Sequence, residues 1–141
     1  MKKFELTSEF VTFLGKKLFR IKALISFGNV EEGELGGYVE KEENLSNDGN
    51  AWVYGDAWVS GDARVFGNAD YATVHGFGSE YRTTTFFRTK AGDIGVRCGC
   101  FYGTLEEFRA KVKETHGETK TAKEYLRVAD LMEFRFSKEE V

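Results

Sequence analysis

Few side chains in this chain could do chemistry. There are two histidines, His75 and His116, and two cysteines, Cys98 and Cys100. A general base needs a pKa near the working pH and a neighbour that orients it. Asp70 and Glu80 lie near His75 in sequence, but no spacing fixes either as that neighbour. His75 is thus the one candidate catalytic residue, set against a plain reading as a surface histidine where a repeat decays. Cys98-x-Cys100 supplies two thiols, whereas structural zinc takes four ligands, usually from two separated pairs. The two cysteines read as small apolar residues on a strand face, and neither metal nor cofactor is expected.

The stretch around them offers a better candidate. Ile94, Val96, Cys98, Cys100 and Tyr102 alternate with Gly95, Arg97, Gly99, Phe101 and Gly103. Read as one strand, the second set is a face of glycines around an arginine. Glycine leaves a strand bare, so a ligand or another backbone can approach. A guanidinium there can grip a phosphate or carboxylate with two parallel hydrogen bonds. Arg82 and Arg88 on a neighbouring strand would add charge. Arg97, Gly95, Gly99, Phe101, Arg82 and Arg88 therefore form the candidate binding set. The alternative is a covering helix, with Arg97 paired to Glu106 or Glu107. The acidic runs Glu31-Glu32-Gly33-Glu34 and Glu40-Lys41-Glu42-Glu43 read as solvated loops. No phosphate-cradling loop, Ser-His-Asp set or EF-hand spacing occurs.

The elements that must position these residues are set by a six-residue period. From Ala51 the chain reads AWVYGD, AWVSGD, ARVFGN and a fading ADYATV. Six residues would turn an apolar position off a helix face, so the period predicts short strands joined by corners. Val53, Val59 and Val65 point inward; Ala51, Ala57, Ala63 and Ala69 fill tight places. Gly55, Gly61 and Gly67 supply corners with positive φ, and Asp56, Asp62 and Asn68 bond to corner amides. The expected result is a short β-solenoid of fewer than two coils, closed by its flanks or by another subunit. Trp52, Tyr54, Trp58 and Phe66 then face outward. Such an aromatic surface marks an interface, and a homo-oligomer, trimer or dimer, is the simplest way to cover it. The other way is burial beneath the flanking segments.

The flanks read as ordinary elements. Phe19, Ile21, Ala23, Ile25 and Phe27 alternate with Arg20 and Lys22, giving the second arm of an N-terminal β-hairpin. Thr104-x-x-Glu107 is a capping box for one helix and Thr121-x-x-Glu124 for a second. The expected division is a hairpin with a glycine-rich connection over 1–38, repeats over 39–78, and a strand-strand-helix-helix module over 79–141. The fold class is mainly β with C-terminal helices. A formal charge of −3, with both signs spread along the chain, argues against a nucleic-acid surface. No apolar run is long enough to span a membrane, and MKKFELTSEF lacks the apolar stretch of a signal peptide. Two cysteines placed too close to bridge fit a reducing cytoplasm.

The hexads, Val53 to Trp58 and Val59 to Arg64 with Gly-Asp corners, resemble the left-handed β-helix of the hexapeptide-repeat superfamily. Arg20-Ile21-Lys22-Ala23-Leu24, Leu35-Gly36-Gly37-Tyr38-Val39-Glu40 and Asn44-Leu45-Ser46 are similar to segments of small phage and prophage proteins. So are Phe87-Arg88-Thr89, Val96-Arg97-Cys98-Gly99-Cys100 and Leu105-Glu106-Glu107-Phe108. This resemblance implies a non-enzymatic binding or assembly module in the cytoplasm of an infected or lysogenic bacterium, engaging a host protein or a small anionic ligand and inhibiting or sequestering a host-defence component. The superfamily also contains acyltransferases with a catalytic histidine, for which His75 is the one candidate. A minor virion component is the third expectation.

Overall fold

The computed structural model describes residues 2–13, 15–55, 57–61, 63–67, 70–77, 82–98 and 101–137, with Phe13 and Arg82 in their backbone only. Strands β1 (Phe4–Phe13) and β2 (Lys16–Ala23) form an antiparallel hairpin that turns at Gly15, whose φ of 77° suits glycine. A bulge between Leu6 and Phe10 interrupts their register. Strand β3 (Leu35–Val39) pairs antiparallel with β2, and the two-residue β4 (Trp58–Val59) pairs parallel with β3. The first sheet has the order β1-β2-β3-β4 and so crosses the boundary expected at residue 38.

The hexads do not wind into a β-solenoid. They make a single pass beside residues 36–46, held by bonds such as Val53 O to Gly37 N (2.7 Å), Val59 O to Glu40 N (3.1 Å) and Val65 O to Ser46 N (2.9 Å). Among the described residues the tract contributes β4 and isolated bridges, Leu45↔Val65 and Ala63↔Thr89, but no stacked coil and no closed sheet. The reason lies in the sequence beyond Val65. Further rungs would need further Gly-Asp corners, and the chain stops supplying them. Strand β5 (Tyr71–Phe77) instead satisfies its backbone antiparallel to β6 (Arg82–Arg88). Val53, Val59, Val65, Ala51, Ala57 and Ala63 are nonetheless buried, in one core with Phe4, Ile21, Val39, Leu45 and Trp52; Ala69 and the corner residues Asp56, Asp62 and Asn68 lie outside the described residues. Gly55 and Gly61 have positive φ at their corners; Gly67 does not.

The second sheet, β5-β6-β7-β8, is wholly antiparallel, with β7 at Ile94–Cys98 and β8 at Phe101–Thr104. The segment expected as one strand over 94–103 is thus two, and the reversal changes which face each residue occupies. Cys98 pairs with Phe101, and Arg97 with Tyr102. Thr85, Arg97 and Tyr102 share one face; Phe86, Val96 and Cys98 share the other. Helices α1 (Leu105–His116) and α2 (Lys120–Phe136) cover that second face through Phe108, Val112, Tyr125, Ala129 and Met132. The box Thr104–Glu107 caps α1 as its spacing predicts. The α2 cap is Thr119, two residues before the expected Thr121, its Oγ1 accepting from Ala122 N at 3.2 Å. Arg109 of α1 clips the helices together through Glu133 and Asp130 of α2, and these, with Glu106 of its own helix, push its pKa further up.

Candidate functional site

The residue singled out for binding, Arg97, lies at the seam between the two sheets. Only 8 % of it is exposed. Its guanidinium carbon stands 3.6 Å from the centroid of the Trp58 ring. Trp58 comes from β4, and its amide donates to Thr85 Oγ1 at 3.3 Å. Beside it, edge-on at 6.3 Å, is Tyr38 of β3, and over Tyr38 at 4.6 Å lies Arg20 of β2. Arg20 donates to the Tyr38 hydroxyl (2.8 Å), to Glu9 Oε2 (2.9 Å) and to Gly36 O (3.1 Å). The Tyr38 bond, more than the Glu9 charge, raises the Arg20 pKa. The result is a pair of neighbouring rings, Trp58 and Tyr38, with a cation on each side, running from one sheet to the other. A desolvated cation over an indole contributes about 2 kcal/mol, so this row can fasten the sheets together.

Of the five residues expected to assemble around Arg97, Phe101 and Arg88 lie on the opposite face of the sheet. Gly95 is small because the Phe87 ring lies over it: a Cβ there would stand 2.4 Å from Phe87 Cε1. Phe101 is on the helix side, 5.8 Å from Phe108. Arg88 pairs with Ile94 and is likewise on the face opposite Arg97. It holds Asp70 (3.1 Å) and the Phe136 carbonyl (3.0 Å), tying α2 to the start of β5. Arg82 is placed by its backbone opposite Phe77. Gly99 lies outside the described residues. The covering-helix alternative fares no better, since Glu106 belongs to Arg109 and Glu107 to the α1 cap.

His75 is exposed on β5, and its Nδ1 meets Thr83 Oγ1 at 2.8 Å. Asp70 serves Arg88 and the amides of Phe66 (2.9 Å) and Gly67 (3.0 Å). Glu80 is outside the described residues, as is Cys100. Cys98 Sγ accepts from Thr84 Oγ1 at 3.1 Å and faces the Tyr125 hydroxyl. Among the described residues no group of three or more His, Cys, Asp or Glu side chains gathers in metal-binding array.

The four hexad aromatics divide. Trp52 is 0 % exposed, packed edge-on against Phe27 (5.4 Å) and Phe4 (6.5 Å), so its expected outward placement is corrected. Gly36 of β3 and Phe27 of the 24–30 loop both press against its indole. Trp58 is capped by Arg97 and Tyr38. Tyr54 (43 % exposed) and Phe66 (66 %) do face outward. Both flank the start of β5: Tyr54 N donates to the Tyr71 hydroxyl at 3.0 Å, and Phe66 N to Asp70.

Sequence reasoning missed three positions. Asn44 Nδ2 donates to Gly61 O (3.1 Å) and Ala63 O (3.0 Å) and fixes the second corner; its place before Leu45-Ser46 was the available signal. Tyr71 is buried, and desolvation pushes its pKa up to about 12. Lys3 is fully buried, its Nζ on Ala51 O at 2.6 Å and over Phe27 at 4.8 Å. Burial lowers its pKa, against the opposing charge of Asp48. In sequence Lys2-Lys3 looks like a solvated pair, and nothing distinguishes the second. Comparison with family models, curated proteins and solved structures finds no match to this chain, so the likeness to hexapeptide-repeat and phage proteins rests on its motifs alone.

Proposed function

We propose that the protein is a non-enzymatic binding module that engages a protein partner through Tyr54 and Phe66. The observation that carries this reading is their exposure on rigid supports. Each ring is large and apolar, and each backbone amide is fixed by a side chain at the start of β5. Aromatic side chains held this way lose little conformational freedom on contact and are the usual anchors of protein interfaces. The polar residues that sequence offered for chemistry are engaged otherwise: Arg97 in the seam, Arg88 and Asp70 with each other, His75 with Thr83. The phage-like motifs make a host protein the partner class to test first. Capture from bacterial lysate should give a defined protein with the wild type that is lost with Tyr54→Ser/Phe66→Ser while the melting temperature holds. Capture by both proteins alike would remove the reading.

A further inference from the structure

A separate surface carries a second reading, independent of Tyr54 and Phe66. The β1–β2 hairpin overhangs its sheet, because β3 reaches β2 only as far as the pair Phe19↔Val39. Beyond that pair, Val11, Thr12 and Phe13 are matched with Leu18, Lys17 and Lys16. Leu18 and Val11 face Tyr38 and Trp58 on one side. On the other side Phe10, next to Phe19 at 5.9 Å, is 45 % exposed. The Lys17 ammonium stands 4.6 Å over the Phe10 ring, and Lys16 is mostly exposed, 3.7 Å from Glu40. Residues 10–19 contain two lysines and no acidic residue, in a chain of net charge −3.

The other end of the same sheet is its complement. Leu35, 51 % exposed, begins β3 beside Glu31, Glu32 and Glu34. This acidic turn is ordered by its own bonds, with Glu34 N on Glu31 O (2.9 Å), Gly33 N on Ala23 O (2.8 Å) and Glu32 N on Ser26 Oγ (3.0 Å). Lys22 and Glu5 are the nearest charges across the strands. Lys17 and Ala23, to which the acidic turn is bonded, are about 20 Å apart along β2, too far for the lysines to meet these glutamates within one molecule. Two lysines accompany the exposed Phe10 at one end and three glutamates precede the exposed Leu35 at the other, so the prevailing charges are opposite and fit one copy to the next.

We propose that the hairpin tip of one copy, Phe10 with Lys16 and Lys17, docks on the acidic turn of a second copy, Leu35 with Glu31 and Glu32. The contact is head to tail, so it propagates into rings or chains unless one end is blocked. Light scattering with size exclusion tests this directly. The wild type should self-associate at low ionic strength and dissociate as salt screens the pairs. Lys16→Glu/Lys17→Glu should weaken association by about tenfold or more, and so should Glu31→Lys/Glu32→Lys. Mixed together, these two variants should regain association, because each tip then meets a turn of opposite sign on the other variant. Tyr54→Ser/Phe66→Ser should associate as the wild type does, which separates this contact from the partner surface. A monomeric wild type at every concentration and salt would overturn the proposal. So would association untouched by the lysine reversals, or a tip that instead sediments with phosphatidylglycerol vesicles and shows no self-association.

Discussion

Gly36 shows how close the hexad tract lies to β3. A Cβ there would stand 2.5 Å from the Val53 carbonyl and 2.8 Å from both Ile21 and Trp52. None of these is the free end of a flexible chain. Gly36→Ala should therefore lower stability by about 3 kcal/mol, read from urea unfolding. Gly67→Ala is the matched control, with open space around it and no positive φ, and should stay within about 0.5 kcal/mol of wild type. Equal effects would mean the tract is not pressed against β3. Two buried ionisable groups give a second test. The Tyr71 pKa, raised to about 12 from 10.0, means that the folded state holds a proton the unfolded state has lost. That contribution is complete below pH 10 and is lost as pH rises toward 12, so stability falls across this range. Lys3 has the opposite sign. Its lowered pKa means that the unfolded state binds the extra proton, so stability rises with pH just below 10.5. Tyr71→Phe should abolish the falling limb, and Lys3→Met the rising one, in melts taken from pH 8 to 12.

At the scale of elements, the helices and the hairpin were legible because local rules govern them. A capping box and an apolar stripe specify α1, and alternation specifies β2 as far as Ala23. Thr104→Ala should cost about 1 kcal/mol through the lost cap on Glu107 N; a neutral result in thermal melts would mean that α1 does not depend on it. The solenoid was not legible as an error, since Val53, Val59 and Val65 are buried just as a solenoid would bury them. Inward pattern fixes which side chains are covered and says nothing of what covers them. Here the cover is β3 on one side and a second sheet on the other. The reversal between Cys98 and Phe101 was hidden for a related reason. Alternation continues in letters from one strand to the next, while the faces exchange, and this moved Tyr102 beside Arg97 and took Phe101 away.

At the scale of the whole molecule, two cores share the second sheet. Tyr71 and Phe87 belong to the core of the hexads, Phe86 and Val96 to that of the helices. The seam crosses at Trp58 to Thr85 and at Arg64 N to Arg88 O (2.8 Å), with Arg97 stacked on Trp58. The sequence singled out the right arginine but assigned it to a ligand. A bare strand face and a face filled by a neighbouring ring look the same until the neighbour is placed. Replacing Arg97 by Lys keeps the charge and removes the planar stack, so it should lower stability by about 1–2 kcal/mol. Whether Arg97 fastens the sheets or binds a partner is decided by the affinity of the captured partner for Arg97→Lys, measured well below its melting temperature. A fastening residue leaves this variant with wild-type affinity, while Tyr54→Ser/Phe66→Ser loses about tenfold or more. A folded Arg97→Lys protein that no longer binds, beside a Tyr54→Ser/Phe66→Ser protein that still does, would contradict the fastening role.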